Sequence, residues 1–457
     1  MERVDYVSTT NACKLCKPLG ACLAFRGIEG AVPMLHGSQG CATYMRRYII
    51  SHFREPMDIA SSSLGEKHAV YGGGPNLKQG LKNVMTKFGA GLIGIATTCL
   101  TETIGDDVPM ILREFRKEME EAGEGENAPP LVCVSTPSYS GTHMEGFHAA
   151  VRAVVDQLCM QAAPNSEPRF VNLLPGFVSP ADIRHLKEIV GDFALGCVLL
   201  PDISDSLDGP ALEDYEKIPA GGTPVSEIQR MGGAAATLEF GRTLIGEPTA
   251  GTVLHERFGV FLHRVGTPVG LRETDGFFTT LGQASGLPTP EKHRLERGRL
   301  IDSYVDAHKY LFEKRAVIYG EEDLVIGLTS FLTEIGVKPV LCASGGRSGH
   351  MKSCIERVTE GFFDTVPTVA EGMDFFEMEE LCQGLAPDIL VGHSKGYRLA
   401  RKLGVPLVRV GFPIHDRFGG QRTLHVGYRG AQMLLDRIVN AVLEKAQEDS
   451  PVGYGYL

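Results

Sequence analysis

Residues 92–107 read LIGIATTCLTETIGDD, and the rest of the chain is read from this stretch. The opening LIGIATTC is a short, continuous apolar run, the pattern of a strand buried on both faces of a parallel sheet. After LTETIGDD, residues 107–121 place apolar side chains at Val108, Ile111, Leu112, Phe115 and Met119 with charges between them. That spacing predicts an amphipathic helix. A buried strand followed by a helix is a βα unit, and sheets built of such units bind ligands in loops at the carboxyl ends of their strands. Cys99 stands at such an end.

The same pattern recurs along the chain. Buried-strand runs stand at 131–136 (LVCVST), 169–175 (RFVNLLP), 196–201 (GCVLLP), 316–320 (AVIYG), 339–343 (PVLCA), 388–392 (DILVG) and 406–411 (PLVRVG). Helical stretches lie between them, such as 321–336 (EEDLVIGLTSFLTEIG), closed by Gly before the next strand. Alternation of this kind means parallel strands joined by right-handed crossovers. With 457 residues the chain is too long for one hydrophobic core. The expected fold is α/β: three Rossmann-like domains with mainly parallel sheets flanked by helices. A charged, Pro-ended loop at 122–130, turns near Ser204 and the stretch 282–299 (GQASGLPTPEKHRLERGR) are candidate connectors. Boundaries near 165 and 300 give a cluster-binding domain (1–165), a middle domain (166–300) and a C-terminal domain (301–457).

A formal net charge of -11 argues against a general nucleic-acid binder, which needs a basic face to neutralise phosphates. The N-terminal MERVDYVSTTNACK has no apolar core of a secretory signal, and no run is long and apolar enough to span a bilayer. A soluble cytoplasmic protein is expected. In the cytosol the 11 cysteines stay reduced. Cys159, Cys197, Cys354 and Cys382, in apolar or amphipathic runs, read as core thiols.

Three segments carry chemistry: NACKLCKPLGA, LHGSQGCATY and ATTCLTETIGDD. Cys16 precedes Pro18-Leu19-Gly20; Cys41 follows His36-Gly37-Ser38-Gln39-Gly40 and leads a helical run at 42–53; Cys99 closes a strand. All three sit on loops or element ends, where a thiolate can face a ligand and backbone N–H groups can face bridging sulfides, as iron–sulfur clusters require. A single cysteine in a Gly-rich loop is more often a small buried residue than a ligand. Cys13-x-x-Cys16 is compatible with half a zinc site, a redox pair or chance. Spacing alone leaves these readings side by side.

The chain resembles the β-type subunit of the nitrogenase component 1 family. The stretches that carry the resemblance are CKPLGA, LHGSQGCATYMRRYIISHFREP, AVYGGGPNLKQGLKNV, IGIATTCLTETIGDDV, STPSYSGTH and GFPIHDRFGGQRTLHVGYRGAQML, which reach from one end of the chain to the other. The steps of 25 residues from Cys16 to Cys41 and 58 from Cys41 to Cys99 agree with the family's ligand spacing.

The resemblance implies that Cys16, Cys41 and Cys99 are this subunit's share of an iron–sulfur cluster at the contact with a homologous α-type subunit. That cluster would be an 8Fe–7S P-cluster, or alternatively a 4Fe–4S cluster. Ser138, in Thr136-Pro137-Ser138, falls where a serine oxygen can add a ligand. Tyr71 falls where a surface aromatic helps dock an ATP-dependent iron protein. An α2β2 heterotetramer is implied, with the catalytic metallocofactor on the α-type partner and no catalytic residue on this chain. His415 then reads as a polar loop residue, Cys22 as a core thiol, and Cys13 stays open. The loops SGGRSGH and HSKG lack the P-loop order, so no nucleotide is expected here.

Two functions follow from the resemblance. One is the β-type subunit of a nitrogenase-like reductase, which relays electrons toward reduction of dinitrogen or, as in methylthio-alkane reductases, C–S cleavage of small organosulfur compounds. The other is a NifN-type scaffold for biosynthesis of the iron–molybdenum cofactor.

Overall fold

The computed structural model describes residues 11–160, 169–214 and 216–453, so most of the N-terminal segment read above and the expected boundary at 165 lie outside the described residues. Two compact units are present, one of residues 16–240 and 246–264, the other of residues 11–15, 241–245 and 265–453.

The first unit carries two sheets. Strands β1 (Ala31–His36), β2 (Ala60–Ser61), β3 (Leu92–Thr97) and β4 (Leu131–Val134) pair in the order β2-β1-β3-β4, all parallel. Strands β5 (Phe170–Leu174), β6 (Gly196–Leu199), β7 (Ala236–Phe240) and β8 (Phe261–Val265) pair as β6-β5-β7-β8, with β5 parallel to both β6 and β7. In the second unit, β9 (Arg315–Gly320), β10 (Lys338–Ser344), β11 (Thr368–Ala370), β12 (Ile389–Gly392) and β13 (Leu407–Arg409) form a parallel sheet ordered β11-β10-β9-β12-β13. The fold is α/β as expected, with three mainly parallel sheets flanked by helices.

The 92–107 stretch folds as a strand and a turn of helix. β3 is buried along its whole length, and the helix Val108–Glu121 buries the five apolar positions that the spacing marks. They pack on Ile93 and Ile95 beside Leu77, Leu81 and Val84 of the helix Gly74–Phe88. LTETIGDD is partly helical: Cys99 opens a short helix, Cys99–Ile104. β1 was not among the expected strands, since Pro33 interrupts its run and proline lacks a ladder donor. It stands in register with Gly94 of β3.

The helix Lys17–Arg26 carries no amphipathic stripe because it is buried almost all round, from Pro18 to Arg26. Cys22 lies fully inside it, as expected of a core thiol, and burial pushes its pKa up to about 12. Glycines let this helix cross its neighbours closely. A methyl on Gly20 would lie 1.6 Å from the carbonyl oxygen of His143, and one on Gly146 1.9 Å from that of Lys17. Gly20→Ala is therefore expected to part the two helices and cost roughly 1–3 kcal/mol. The check is a lowered thermal unfolding midpoint of the purified protein.

Candidate functional site

The first unit brings the three expected cysteines to helix N-termini. Cys16 occupies the N-cap position of Lys17–Arg26, a helix with proline in its first turn. Cys41 is the third residue of Gln39–Phe53, whose cap, Ser38, accepts the N–H of Gly40 through its hydroxyl at 3.2 Å. Cys99 is the first residue of its short helix, capped by the reciprocal Thr98 and Thr101 bonds of a capping box. Orphan N–H groups and the helix dipole at such ends favour anions, including thiolates. All three thiols are half-buried.

Cys16 and Cys99 both lie within electrostatic reach of Cys41. The pKa of Cys41 is raised first by burial, then by the neighbouring Cys16 and Cys99. Yet among the described residues no three His, Cys, Asp or Glu side chains converge so as to hold a single metal ion. Ser138, in the turn after β4, donates its N–H to the Cys99 sulfur at 3.2 Å, a bond of the kind that tunes a cluster ligand. A half-buried set of thiols at helix N-termini, two of them within reach of the third and with an N–H on one sulfur, fits an iron–sulfur cluster.

The turns bearing these residues are held together by a buried polar network. His36 ends β1 and is fully buried. Its Nε2 lies 3.0 Å from Asp106 Oδ2 and its Nδ1 2.9 Å from Ser62 Oγ. Asp106 also accepts the N–H of Gly73 at 3.0 and 3.1 Å, and Ser62 accepts that of Gly37 at 2.9 Å. The His36 carbonyl takes three further bonds, from the Thr98 N–H at 3.2 Å and from the hydroxyls of Thr98 and Thr101 at 3.1 and 3.0 Å. One residue thus ties the Cys41 turn, the Cys99 helix and the loop after Tyr71. Gly37 permits the approach, since a methyl there would fall 2.2 Å from Thr98 Oγ1. Burial holds the His36 pKa below its ordinary value, with Asp106 opposing. The neutral ring donates from Nε2 to the Asp106 carboxylate and accepts at Nδ1. No motif announced this network.

Tyr71 stands 86% exposed, next to the equally prominent Val70. His415 is an exposed loop residue whose N–H donates to Ser394 Oγ at 3.2 Å. Cys159, Cys354 and Cys382 are buried; Cys197, on the edge strand β6, is half-buried as a residue, but burial of its thiol pushes its pKa up to about 12. Cys13 lies buried in the second unit. No helix among the described residues is long and apolar enough to cross a membrane.

Comparison with known proteins adds four findings. The family model described as nitrogenase component 1 type oxidoreductase matches residues 16–443. The nitrogenase molybdenum–iron protein β chain of Methanothermobacter thermautotrophicus is 37% identical over 98% of this chain and 97% of its own length. The nitrogenase iron–molybdenum cofactor biosynthesis protein NifN of Bradyrhizobium diazoefficiens is 33% identical over 96% and 90%. A solved structure of nitrogenase Cp1 at pH 6.5 superposes with a TM-score of 0.94 at 33% identity, covering 100% of this chain and 98% of the other. The chain belongs to the nitrogenase component 1 oxidoreductase family, as a β-type member.

Proposed function

We propose that this chain is the β-type subunit of a cytoplasmic nitrogenase-like reductase and contributes Cys16, Cys41 and Cys99 to a cluster shared with a homologous α-type subunit. The observation that carries the reading is the set of three half-buried thiols at helix N-termini, with Cys16 and Cys99 both within electrostatic reach of Cys41. An iron–sulfur cluster, when bound, supplies one-electron transfer. The thiolates would hold it, the Ser138 N–H would stabilise charge on the Cys99 sulfur, and the Ser138 hydroxyl would stand ready as a further oxygen ligand. Three cysteines and a serine suit half of an 8Fe–7S P-cluster better than half of a 4Fe–4S cluster. The assembly would be an α2β2 heterotetramer that receives electrons from an ATP-dependent iron protein. The α-type partner would carry the cofactor that reduces dinitrogen or cleaves C–S bonds of small organosulfur compounds.

The likeness to NifN over nearly the whole chain supports a second reading, a scaffold subunit for cofactor biosynthesis. Turnover separates the two. The complex, purified without oxygen and supplied with iron protein and ATP, is expected to reduce dinitrogen or an alkyl sulfide. A complex that only donates cofactor to an empty nitrogenase would establish the scaffold instead.

Tyr71 is the proposed docking aromatic. Tyr71→Ala is expected to raise the iron protein concentration needed for half-maximal turnover about tenfold, as loss of an anchoring aromatic does. Saturating iron protein is expected to restore the rate. Unchanged dependence on iron protein places docking elsewhere.

A further inference from the structure

A doubly wound sheet opens its ligand crevice at the carboxyl ends of the strands, where the strand order reverses. In the second unit that reversal falls between β9 and β12. The loops around it look ready for a ligand: a Gly-rich turn, Ser344-Gly345-Gly346, after β10 and a lysine, Lys395, shortly after β12. What they surround is the chain's own segment at 11–15.

The contacts come from three strand ends. Beyond β11, Ala12 and Asp374 form an antiparallel bridge, Cys13 donates its N–H to the Met373 carbonyl at 3.1 Å, and Phe375 donates to that of Asn11 at 3.3 Å. Beyond β12, the Cys13 sulfur lies 3.5 Å from His393 Nε2. The Lys395 ammonium donates to the carbonyl of Ala12 and, at 3.4 Å, to that of Lys14. Beyond β10, a methyl on Gly345 would fall 2.4 Å from the Cys13 carbonyl oxygen, so only glycine lets the segment in. Cys13 itself is buried in one apolar cluster with Tyr319, Phe375 and Leu390. The lysine and the Gly-rich turn meet a peptide backbone, and the strand-end histidine a thiol, where in other sheets of this type such loops would meet an anionic ligand.

We propose that residues 11–15 are the internal ligand of the C-terminal crevice, clamped by Lys395 and admitted by Gly345.

The test uses the full chain in its complex, purified without oxygen, as wild type, Gly345→Ala, Lys395→Met, Lys395→Arg and the control Gly384→Ala, around whose new methyl nothing lies within 4 Å. Iodoacetamide modification of Cys13 is followed by the mass of its peptide. Cys13 is expected to be protected in wild type, Lys395→Arg and Gly384→Ala. In Gly345→Ala and Lys395→Met it is expected to react about tenfold faster, because local opening becomes cheaper. Equal protection of Cys13 in all five proteins overturns the clamp.

Discussion

Cys41→Ala is expected to remove the interface iron from the assembled protein while leaving the chain folded. Cys41 is half-buried and contributes nothing to the apolar core, and alanine is the better helix former. The local helix should therefore survive the change. What disappears is one of the three thiols, the one that lies within electrostatic reach of both Cys16 and Cys99. A cluster that needs every ligand it has on this face loses most of its occupancy when one is removed. Iron per αβ pair and the visible absorption of the cluster should fall together, with the circular dichroism spectrum unchanged. The same loss is expected at Cys99, whereas Cys22→Ala, deep in the Lys17–Arg26 helix, should keep its iron. Unchanged iron in Cys41→Ala would show that the ligands have been misassigned.

The second large effect is expected at Asp106. Its carboxylate accepts from the buried His36 ring and from the N–H of Gly73, so Asp106→Ala strands both donors. Leaving buried donors unsatisfied costs roughly 2–3 kcal/mol here. The loop after Tyr71 also loses its anchor to β1, and faster proteolytic cleavage at residues 66–73 should report it. The pH dependence has a definite sign. The folded pKa of His36 lies below its ordinary 6.5, so the unfolded chain takes up a proton first as pH falls. The stability that His36 contributes is therefore complete above pH 6.5 and declines from there down to its lower folded value. Asp106 raises that folded value, so its removal extends the decline to more acid pH. Thermal midpoints of wild type and Asp106→Ala between neutral and mildly acid pH measure both effects.

Much of this was legible in the sequence, and the parts that were not share a cause. Buried parallel strands announce themselves locally, so β3, β4, β5, β9, β10 and β12 could be read from short apolar runs, and with them the carboxyl-end position of Cys99. β1 was hidden by Pro33. The Lys17–Arg26 helix was hidden because a helix buried on every side shows no periodicity. The network of His36, Ser62 and Asp106 joins residues 26 and 70 positions apart in sequence, and Cys13 meets His393 across 380. Pairings at such separations leave no local signature. The cysteines stood out because of their loops and spacing, while the residues that hold those loops in place look ordinary in the sequence.

The central claim is that Cys16, Cys41 and Cys99 together hold one cluster at the contact with a partner subunit. The most direct measurement is the redox-dependent EPR spectrum, with iron content, of the complex purified without oxygen, compared across the three single alanine variants and Cys22→Ala. The account requires an interface-cluster signal in wild type and Cys22→Ala that is lost in each of the other three. A colourless wild-type complex, or a signal that survives all three substitutions, would contradict it.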